Sequence, residues 1–251
     1  MVAEFATEAT ISVVKSSYNS KQHWLAHWNE FEDKVNQVPH VLGPNAKWLA
    51  ATDPVYFAIA NARYKFVART LHGYSSVAEV GCGDGLGAVF LGSIAGSVTC
   101  FDINAPLLAD CRTRLSYLGN VEFVEHDFTA ARFQNSPEPF EALVMLDVLE
   151  HIYEDVEYQF LANACQLLSR DGLAIIGTPN VEAKRFASEN SLSGHVNLKS
   201  AQSLKSSLEQ HFSRVILFGM NDEVVHTGFW GMSHYLWAVC FGPNLELNVT
   251  G

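Results

Sequence analysis

The sequence predicts an α/β fold, with a mostly parallel sheet that ends in a β-hairpin and a helical cap before it. From residue 76 onward, short β-branched runs alternate with stretches whose apolar residues recur at helical spacing. This pattern is typical of a parallel sheet with helices on both faces. Residues 1–75 lack strand-like runs and contain several Trp and Tyr residues, which favours helices. We therefore expect a cap of residues 1–75 and a sheet domain of residues 76–251.

Seven strands are predicted from short apolar runs rich in β-branched residues, each followed by Gly or a polar residue. They span residues 77–80, 98–101, 121–124, 142–146, 172–177, 215–218 and 235–241. Four helices are predicted from apolar residues at 3.6-residue spacing. These span residues 86–94, 105–118, about 156–168 and 200–212, with Ser200 as the N-cap of the last. No helical pattern separates the last two strands, so residues 219–234 are expected to connect a terminal hairpin.

Composition limits the classes of protein that the chain can be. Its 251 residues suit one large domain with a small appendage. The net charge of −11 disfavours a nucleic-acid partner, because nucleic-acid binders carry a basic footprint. The five cysteines lack CxxC spacing, so neither a disulfide framework nor a cysteine zinc site is predicted. With no secretory signal and no apolar run of about 20 residues, a cytoplasmic location without a membrane span is expected.

Glycines crowd the turn that follows the first predicted strand. Residues 81–85 read Gly-Cys-Gly-Asp-Gly. Glycine permits positive φ and lets a ligand lie against the backbone, and the helix that follows offers free N–H groups. Asp102 ends the second strand, 17 residues after Gly85, where a carboxylate commonly accepts hydrogen bonds from the ribose of an adenosine. An ordinary glycine-rich turn and a helix-capping or surface aspartate are the alternatives.

Acids follow four successive strands of the predicted sheet. Asp84, Asp102, Asp127 and Asp147 all stand near the carboxyl ends of strands, which is the edge at which open parallel sheets bind ligands. Core packing does not account for four such acids, because an unpaired buried carboxylate is costly. The sequence therefore predicts a ligand site at this edge.

Five segments together resemble the motifs of class I S-adenosylmethionine-dependent methyltransferases. Residues 79–85 resemble the glycine motif, residues 101–103 the ribose-binding acidic end, and residues 125–128 the segment that contacts the adenine. Residues 145–152 resemble the motif after strand four of small-molecule members, and residues 172–180 resemble strand five with its Thr-Pro-Asn ending. The resemblance covers residues 76–241. It implies a Rossmann-like, seven-stranded sheet and S-adenosylmethionine as the cofactor.

The resemblance implies a role in cofactor binding for each matching residue. Asp102 is expected to hold the ribose and Ile103 to pack on the adenine. Asp127 is expected to accept a hydrogen bond from the exocyclic amine of the adenine. Asp147 and the acid and carbonyls of residues 79–81 are expected beside the ammonium group. The expected cofactor-binding residues are Glu79, Gly81, Cys82, Gly83, Gly85, Asp102, Ile103, Asp127, Phe128, Asp147 and Val148.

A nicotinamide-binding enzyme is the nearest alternative for the glycine turn, because residues 83–88 fit the pattern G-x-G-x-x-A. Three features argue against hydride transfer. The glycines begin earlier, at Gly81, and Asp127 and Asp147 extend the site. A terminal β-hairpin is also typical of class I methyltransferases. A protein that binds S-adenosylmethionine without catalysis is a further alternative.

His151 and His195 are the candidate catalytic residues. Methyl transfer needs the acceptor, the methyl group and the sulfur in line, and a hydroxyl acceptor also gains from a base. His151 follows strand four, where the transferable methyl is expected, and His195 follows strand five. We therefore expect transfer to a hydroxyl oxygen, with N-methylation of a small amine as the alternative. The other interpretation of His151 is a helix-start residue that orders Glu150 or the backbone.

Aromatic and basic residues outside the motifs are expected to bind the acceptor, a small molecule with a ring or an anionic group. The candidates are Tyr18, Tyr56, Lys184, Arg185, His195, His226 and Trp230. Core packing, or a solvated loop for the basic residues, is the alternative. His23 and His27 share helical spacing but have no evident carboxylate or thiol partner, so no metal site is predicted. The aromatic-rich residues 1–75 are also a candidate homodimer surface.

Overall fold

The computed structural model describes residues 20–35, 39–134, 138–187 and 193–246. The chain divides into two compact units, Met1–His40 and Val41–Gly251. Within the first unit, the described residues form helix α1 (Ser20–Val35). This helix exposes the side chains of Trp24, Trp28 and Phe31. Tyr18, a candidate acceptor-binding residue, lies outside the described residues.

The second unit contains one eight-stranded sheet with helices on both faces. Its helices are α2 (Pro44–Thr52), α3 (Pro54–Thr70), α4 (Leu86–Gly92), α5 (Ala105–Arg114), α6 (Glu154–Cys165) and α7 (Ala201–Leu208). Its strands are β1 (Ser76–Val80), β2 (Ser97–Asp102), β3 (Val121–Glu125), β4 (Phe140–Leu146), β5 (Leu168–Pro179), β6 (Phe212–Asn221), β7 (Val224–His226) and β8 (Tyr235–Pro243). Short 3-10 helices span Leu149–His151, Val181–Phe186 and Trp230–Met232.

The strand order is β3-β2-β1-β4-β5-β8-β6-β7. Strands β1 to β5 pair in parallel. Strand β8 inserts antiparallel between β5 and β6, so the predicted terminal hairpin pair is present. The predicted α/β class, with its mostly parallel sheet, is therefore confirmed.

The predicted number of strands was wrong, because β7 lies inside the expected connection of residues 219–234. Asp222 adopts a left-handed conformation with φ 50°, which reverses the chain tightly after β6. Val224–His226 then pairs antiparallel with the end of β6. A three-residue strand is too short for an alternating pattern to show in the sequence, so the eighth strand was missed.

The core lies in two layers, one on each face of the sheet. Helices α3, α4 and α5 pack on one face through residues such as Val67, Leu91 and Leu108. Helices α6 and α7 pack on the other through residues such as Leu161 and Leu204. Central strands are buried on both faces, which explains their continuous apolar runs. Both layers leave the carboxyl ends of β1 to β5 free to form a site.

The two helices before the sheet begin at prolines, and Asp53 caps the second. Pro44 and Pro54 occupy the first turns of α2 and α3, where a missing N–H is tolerated. The Asp53 side chain accepts from the N–H of Tyr56 at 2.9 Å. Both helices belong to the compact unit that contains the sheet. No helix in the described ranges is long and apolar enough to cross a membrane.

Candidate active site

The glycine turn after β1 adopts the positive φ values that its glycines were expected to permit. Gly81, Gly83 and Gly85 all have positive φ, of 78°, 53° and 76°. A Cβ at Gly81 would overlap the side chain of Val148, so the turn lies directly against the segment that follows β4. A Cβ at Gly83 would meet no described atom within 4 Å. The backbone at Gly83 is therefore open to a ligand.

Asp102 is joined to this turn by hydrogen bonds. Its Oδ2 accepts from the N–H of Gly83 at 2.8 Å, and its Oδ1 accepts from the N–H of Asn104 at 2.8 Å. Each oxygen keeps a lone pair for another donor. The neighbouring Ile103 is 71% exposed, which leaves an apolar surface beside the carboxylate. A ribose and a base can therefore be held here together.

The segment after β3 divides between surface and core. Asp127 Oδ1 accepts from the N–H and the hydroxyl of Thr129, at 2.8 and 2.6 Å. The Thr129 hydroxyl is the main group that lowers the Asp127 pKa, despite opposing desolvation. Phe128 is buried and packs edge-to-face on Phe101, with 5.4 Å between ring centroids. The Phe128 ring thus supports the site from within the core.

Glu79 lies in the core between β1 and the helices. Its carboxyl accepts hydrogen bonds from the Tyr64 hydroxyl and from the Cys100 thiol, the second at 3.5 Å. Burial raises the Glu79 pKa to about 7, with the two hydrogen bonds opposing this shift. A Cβ at Gly87 would overlap the carboxyl. The side chain is therefore enclosed by protein groups, whereas we had expected it beside the ammonium group of the cofactor.

Asp147 is paired with an arginine that sequence reasoning missed. Asp147 has φ 55° and its Oδ2 lies 2.6 Å from Nη1 of Arg63 on α3. The Arg63 guanidinium lies 4.0 Å from the Tyr235 ring centroid and donates to the Tyr56 hydroxyl at 3.3 Å. The sequence did contain a sign of this residue. Arg63 lies at helical spacing between the apolar residues Ile59 and Val67, where a charged side chain needs a partner. The pair brings Tyr56 to the end of β4.

The two candidate catalytic histidines lie together, although 43 residues separate their segments. The ring centroids of His151 and His195 are 5.1 Å apart. Nδ1 of His151 is 2.8 Å from the carbonyl oxygen of Gly194. The carbonyl can only accept, so Nδ1 carries a proton, and in the neutral ring Nε2 keeps its lone pair. Burial, followed by the charge of His151, lowers the His195 pKa.

Backbone hydrogen bonds join the histidine loop to the turn after β4. The N–H groups of Val196 and Asn197 both donate to the carbonyl of Glu150, at 2.8 and 3.0 Å. The Asn197 side chain donates to the carbonyl of Ile152 at 2.9 Å. This network fixes His195 beside His151 independently of their side chains.

Glu150 is a second site residue that sequence reasoning did not select. It is fully buried, and the Thr178 hydroxyl donates to its Oε2 at 3.0 Å. Its Oε1 has no hydrogen-bond partner among the described residues. Burial, followed by the charge of Asp147, raises the Glu150 pKa to about 8. A carboxyl with this environment beside two histidines is typical of a functional site.

The remaining acceptor candidates are divided between two places. Lys184 and Arg185 are exposed on the 3-10 helix Val181–Phe186. The partly exposed Trp230 is linked to the start of this helix, because its carbonyl accepts from the Asn180 side chain at 2.9 Å. His226 instead lies beside the β6–β7 turn. Its Nε2 is hydrogen-bonded to Asn221 Oδ1, and its Nδ1 accepts from the Gly228 N–H, both at 3.0 Å. Its ring holds the edge of the sheet.

Comparisons with known proteins agree with this geometry. Residues 77–172 match a family model described as a methyltransferase domain. This match covers β1, the glycine turn, Asp102, Asp127 and the segment from Asp147 to His151. The matched segment therefore carries a methyltransferase domain, which supports S-adenosylmethionine-dependent methyl transfer. A search of curated proteins finds no match.

Three solved structures illustrate the shared fold. A DhpI complex with SAH is 18% identical, with 78% of this chain and 91% of that chain covered, and a TM-score of 0.58. The N-methyltransferase NodS from Bradyrhizobium japonicum WM9 is 14% identical, with the same coverage and TM-score. The small RNA methyltransferase HEN1 is 17% identical, with 72% of this chain and 25% of that chain covered, and a TM-score of 0.59. At these identities the likeness concerns the fold alone.

The glycine turn fits the cofactor of this methyltransferase, S-adenosylmethionine. The open backbone at Gly83 and the adjoining Asp102 carboxylate form one continuous surface. When bound, the cofactor supplies a sulfonium-activated methyl group. Val148 packs against Gly81, and His151 follows three residues later in the chain, with the ring of His195 beside it. The two histidines therefore lie close to the glycine turn.

Proposed function

We propose that this methyltransferase acts on a hydroxyl oxygen of a small molecule, with His151 and His195 as the groups that orient the acceptor or take its proton. The main support is the fixed tautomer of His151. Because the Gly194 carbonyl takes the Nδ1 proton, Nε2 is available to accept a hydrogen bond from a hydroxyl group.

The chemistry of a hydroxyl group explains the need for such an acceptor. An alcohol or phenol is a weak nucleophile until its proton is withdrawn, and a positioned base contributes about 10²–10⁴-fold. The C–O bond forms as the S–CH₃ bond breaks, so His151 and His195 must hold the oxygen in line with the methyl group. The backbone hydrogen bonds from Val196 and Asn197 to Glu150 support this proposal, because they hold the His195 loop beside His151.

N-methylation of a small amine is the second candidate. The buried carboxyl of Glu150 and the carboxylate of Asp147 would suit a cationic acceptor. Asp147 is already neutralised by Arg63, however, and the two histidines offer lone pairs rather than negative charge. These contacts favour the hydroxyl acceptor.

Cofactor binding is assigned within the same proposal to the residues expected from the sequence. Gly83, Asp102 and Ile103 hold the adenosine, and Asp147 lies beside the methionine part. Tyr56, Lys184, Arg185 and Trp230 contribute to the acceptor side, where the cations suit an anionic group. The aromatic-rich residues 1–75 are a candidate homodimer surface within the same proposal, and the protein acts in the cytoplasm without a nucleic-acid partner.

Incubation with methyl-labelled cofactor and a metabolite extract tests the proposal. We expect label in products that behave as methyl ethers or esters, and label in basic methylamines would favour the second candidate. His151→Ala should lower turnover at least about 100-fold, while the calorimetric affinity for S-adenosylmethionine stays within twofold. His72→Ala is the matched control, because His72 is exposed and precedes β1 at the opposite edge of the sheet. Full turnover in His151→Ala contradicts the proposed role of this residue.

A further inference from the structure

Three metal-binding side chains meet at the end of β4. Glu150, His151 and His195 each offer one donor atom, and these atoms all lie within 4.8 Å of one another. Two imidazole nitrogens and one carboxylate oxygen form a donor set that suits Zn²⁺ and other divalent transition-metal ions. The sequence had predicted no metal site, because the helical pair His23 and His27 has no evident carboxylate or thiol partner.

The carboxyl of Glu150 has an unused buried oxygen. Thr178 engages Oε2, whereas the buried Oε1 has no partner in the part of the chain that the structure describes. Leaving such an oxygen unpaired away from water costs about 1–3 kcal/mol. A cation between Glu150 and the histidines would satisfy this oxygen.

The ring of His151 is also held as metal-binding histidines commonly are. A histidine that binds a metal through one nitrogen usually donates its other N–H to a carbonyl or carboxylate. His151 does so to the Gly194 carbonyl at 2.8 Å, which leaves Nε2 for the ion. His195 is placed by the backbone hydrogen bonds of Val196 and Asn197 to Glu150. The site is therefore built from two segments that are joined before any ion binds.

We propose that Glu150, His151 and His195 bind one divalent transition-metal ion, such as Zn²⁺, and leave at least one coordination position open. Tetrahedral zinc requires donor atoms about 3.4 Å apart, so the two rings turn slightly inward on binding. The neighbouring Asp147 carboxylate is paired with Arg63 and does not belong to the donor set.

The use of this ion rests on the proposed function, whereas its binding does not. An acceptor hydroxyl at the open position would be polarised by the ion, and its proton would pass to water. The oxygen then forms its bond to the methyl carbon as the carbon–sulfur bond breaks, and the electron pair of that bond remains on sulfur. In this arrangement the ion replaces the direct hydrogen bond from the acceptor to Nε2 of His151, and the two histidines orient the acceptor through the ion.

Metal titration of chelator-treated full-length protein tests the site directly. We expect calorimetry with Zn²⁺ to give one ion per chain, and Co²⁺ to produce the visible absorption of a low-symmetry site. His151→Ala and His195→Ala should each weaken binding at least about 100-fold, while His72→Ala should bind as the unsubstituted protein does. A substitution of the fully buried Glu150, such as Glu150→Gln, can prevent folding. His195 lies on a loop, so we expect His195→Ala to fold and to test the site in either case.

The outcomes separate this proposal from the proposed function. No stoichiometric binding, or equal binding in the two alanine variants, overturns the metal site. Hydroxyl methylation that proceeds at an unchanged rate in chelator-treated protein overturns the use of the ion but leaves O-methylation standing. An ion that binds as expected in a protein that methylates only amines overturns the proposed function and leaves the metal site standing.

Discussion

The two parts of the site are built in different ways. The glycine-turn region, residues 81–85 with Asp102, is formed by residues close in sequence and joined by backbone hydrogen bonds. The histidine region, Glu150 with His151 and His195, depends on contacts between segments 43 residues apart. The first is determined by local conformation and the second by topology. Substitutions should therefore affect the two regions separately.

The largest effect is expected at Gly81, where the glycine-turn region touches Val148, two residues before the histidine region begins. In Gly81→Val, the new side chain would overlap Val148, and its φ of 78° would be strained. We expect a loss of about 4 kcal/mol in the free energy of unfolding, measured by urea denaturation, together with lost cofactor affinity. Gly73→Val is the control, since Gly73 has φ 88° and open space around it among the described residues. Equal losses in both variants would show that strain, rather than the contact between regions, is responsible.

The next effect concerns Glu79, which supports the glycine turn from the core. Its folded-state pKa of about 7 exceeds the ordinary glutamate pKa of 4.5. Between these pH values the unfolded chain loses a proton that the folded chain retains, so stability falls as the pH rises. The total fall is about 3 kcal/mol.

Glu79→Gln should lack this dependence. The unfolding free energy of the original protein, minus that of the variant, should therefore decrease from pH 4.5 to pH 7 when both are followed by urea denaturation. Glu122→Gln is the control, because Glu122 is exposed on β3. A difference that stays constant over this range would contradict a buried, protonated Glu79.

A smaller effect, confined to the glycine-turn region, is expected from Asp102→Ala. Loss of the ribose acceptor should weaken S-adenosylmethionine binding at least about tenfold, as measured by calorimetry. The metal affinity of the histidine region should not change. Asp171→Ala, an exposed acid on β5, should leave both affinities as they are. Unchanged cofactor affinity in Asp102→Ala would remove the main argument for the position of the adenosine.

The smallest effect is expected from Arg63→Met, which removes the partner of Asp147 while keeping most of the side-chain volume. The Asp147 side chain is 39% exposed and can be hydrated, so we expect only about 1 kcal/mol of lost stability. The KM for the cofactor should rise several-fold, because Asp147 loses the contact that orients it. Lys65→Met, an exposed substitution on the same helix, is the control. A KM that rises equally in both variants would rule out an orienting role for Arg63.

The sequence by itself determined the sheet, the glycine turn and Asp102. Local sequence determines three features, because each depends on residues within a few positions. They are the positive φ at Gly81, the burial along β4 and the acid at the end of β2. Strand β7 escaped prediction because a three-residue strand takes its conformation from its pairing with β6.

Only the tertiary structure decided the pairing of Arg63 with Asp147 and the meeting of Glu150, His151 and His195. It also placed Glu79 and Phe128 in the core, whereas their motifs had predicted contact with the cofactor. These outcomes depend on which segments the sheet brings together and on which face a side chain lies. No local pattern encodes a contact across 84 or 43 residues, because the strand order alone makes such segments neighbours.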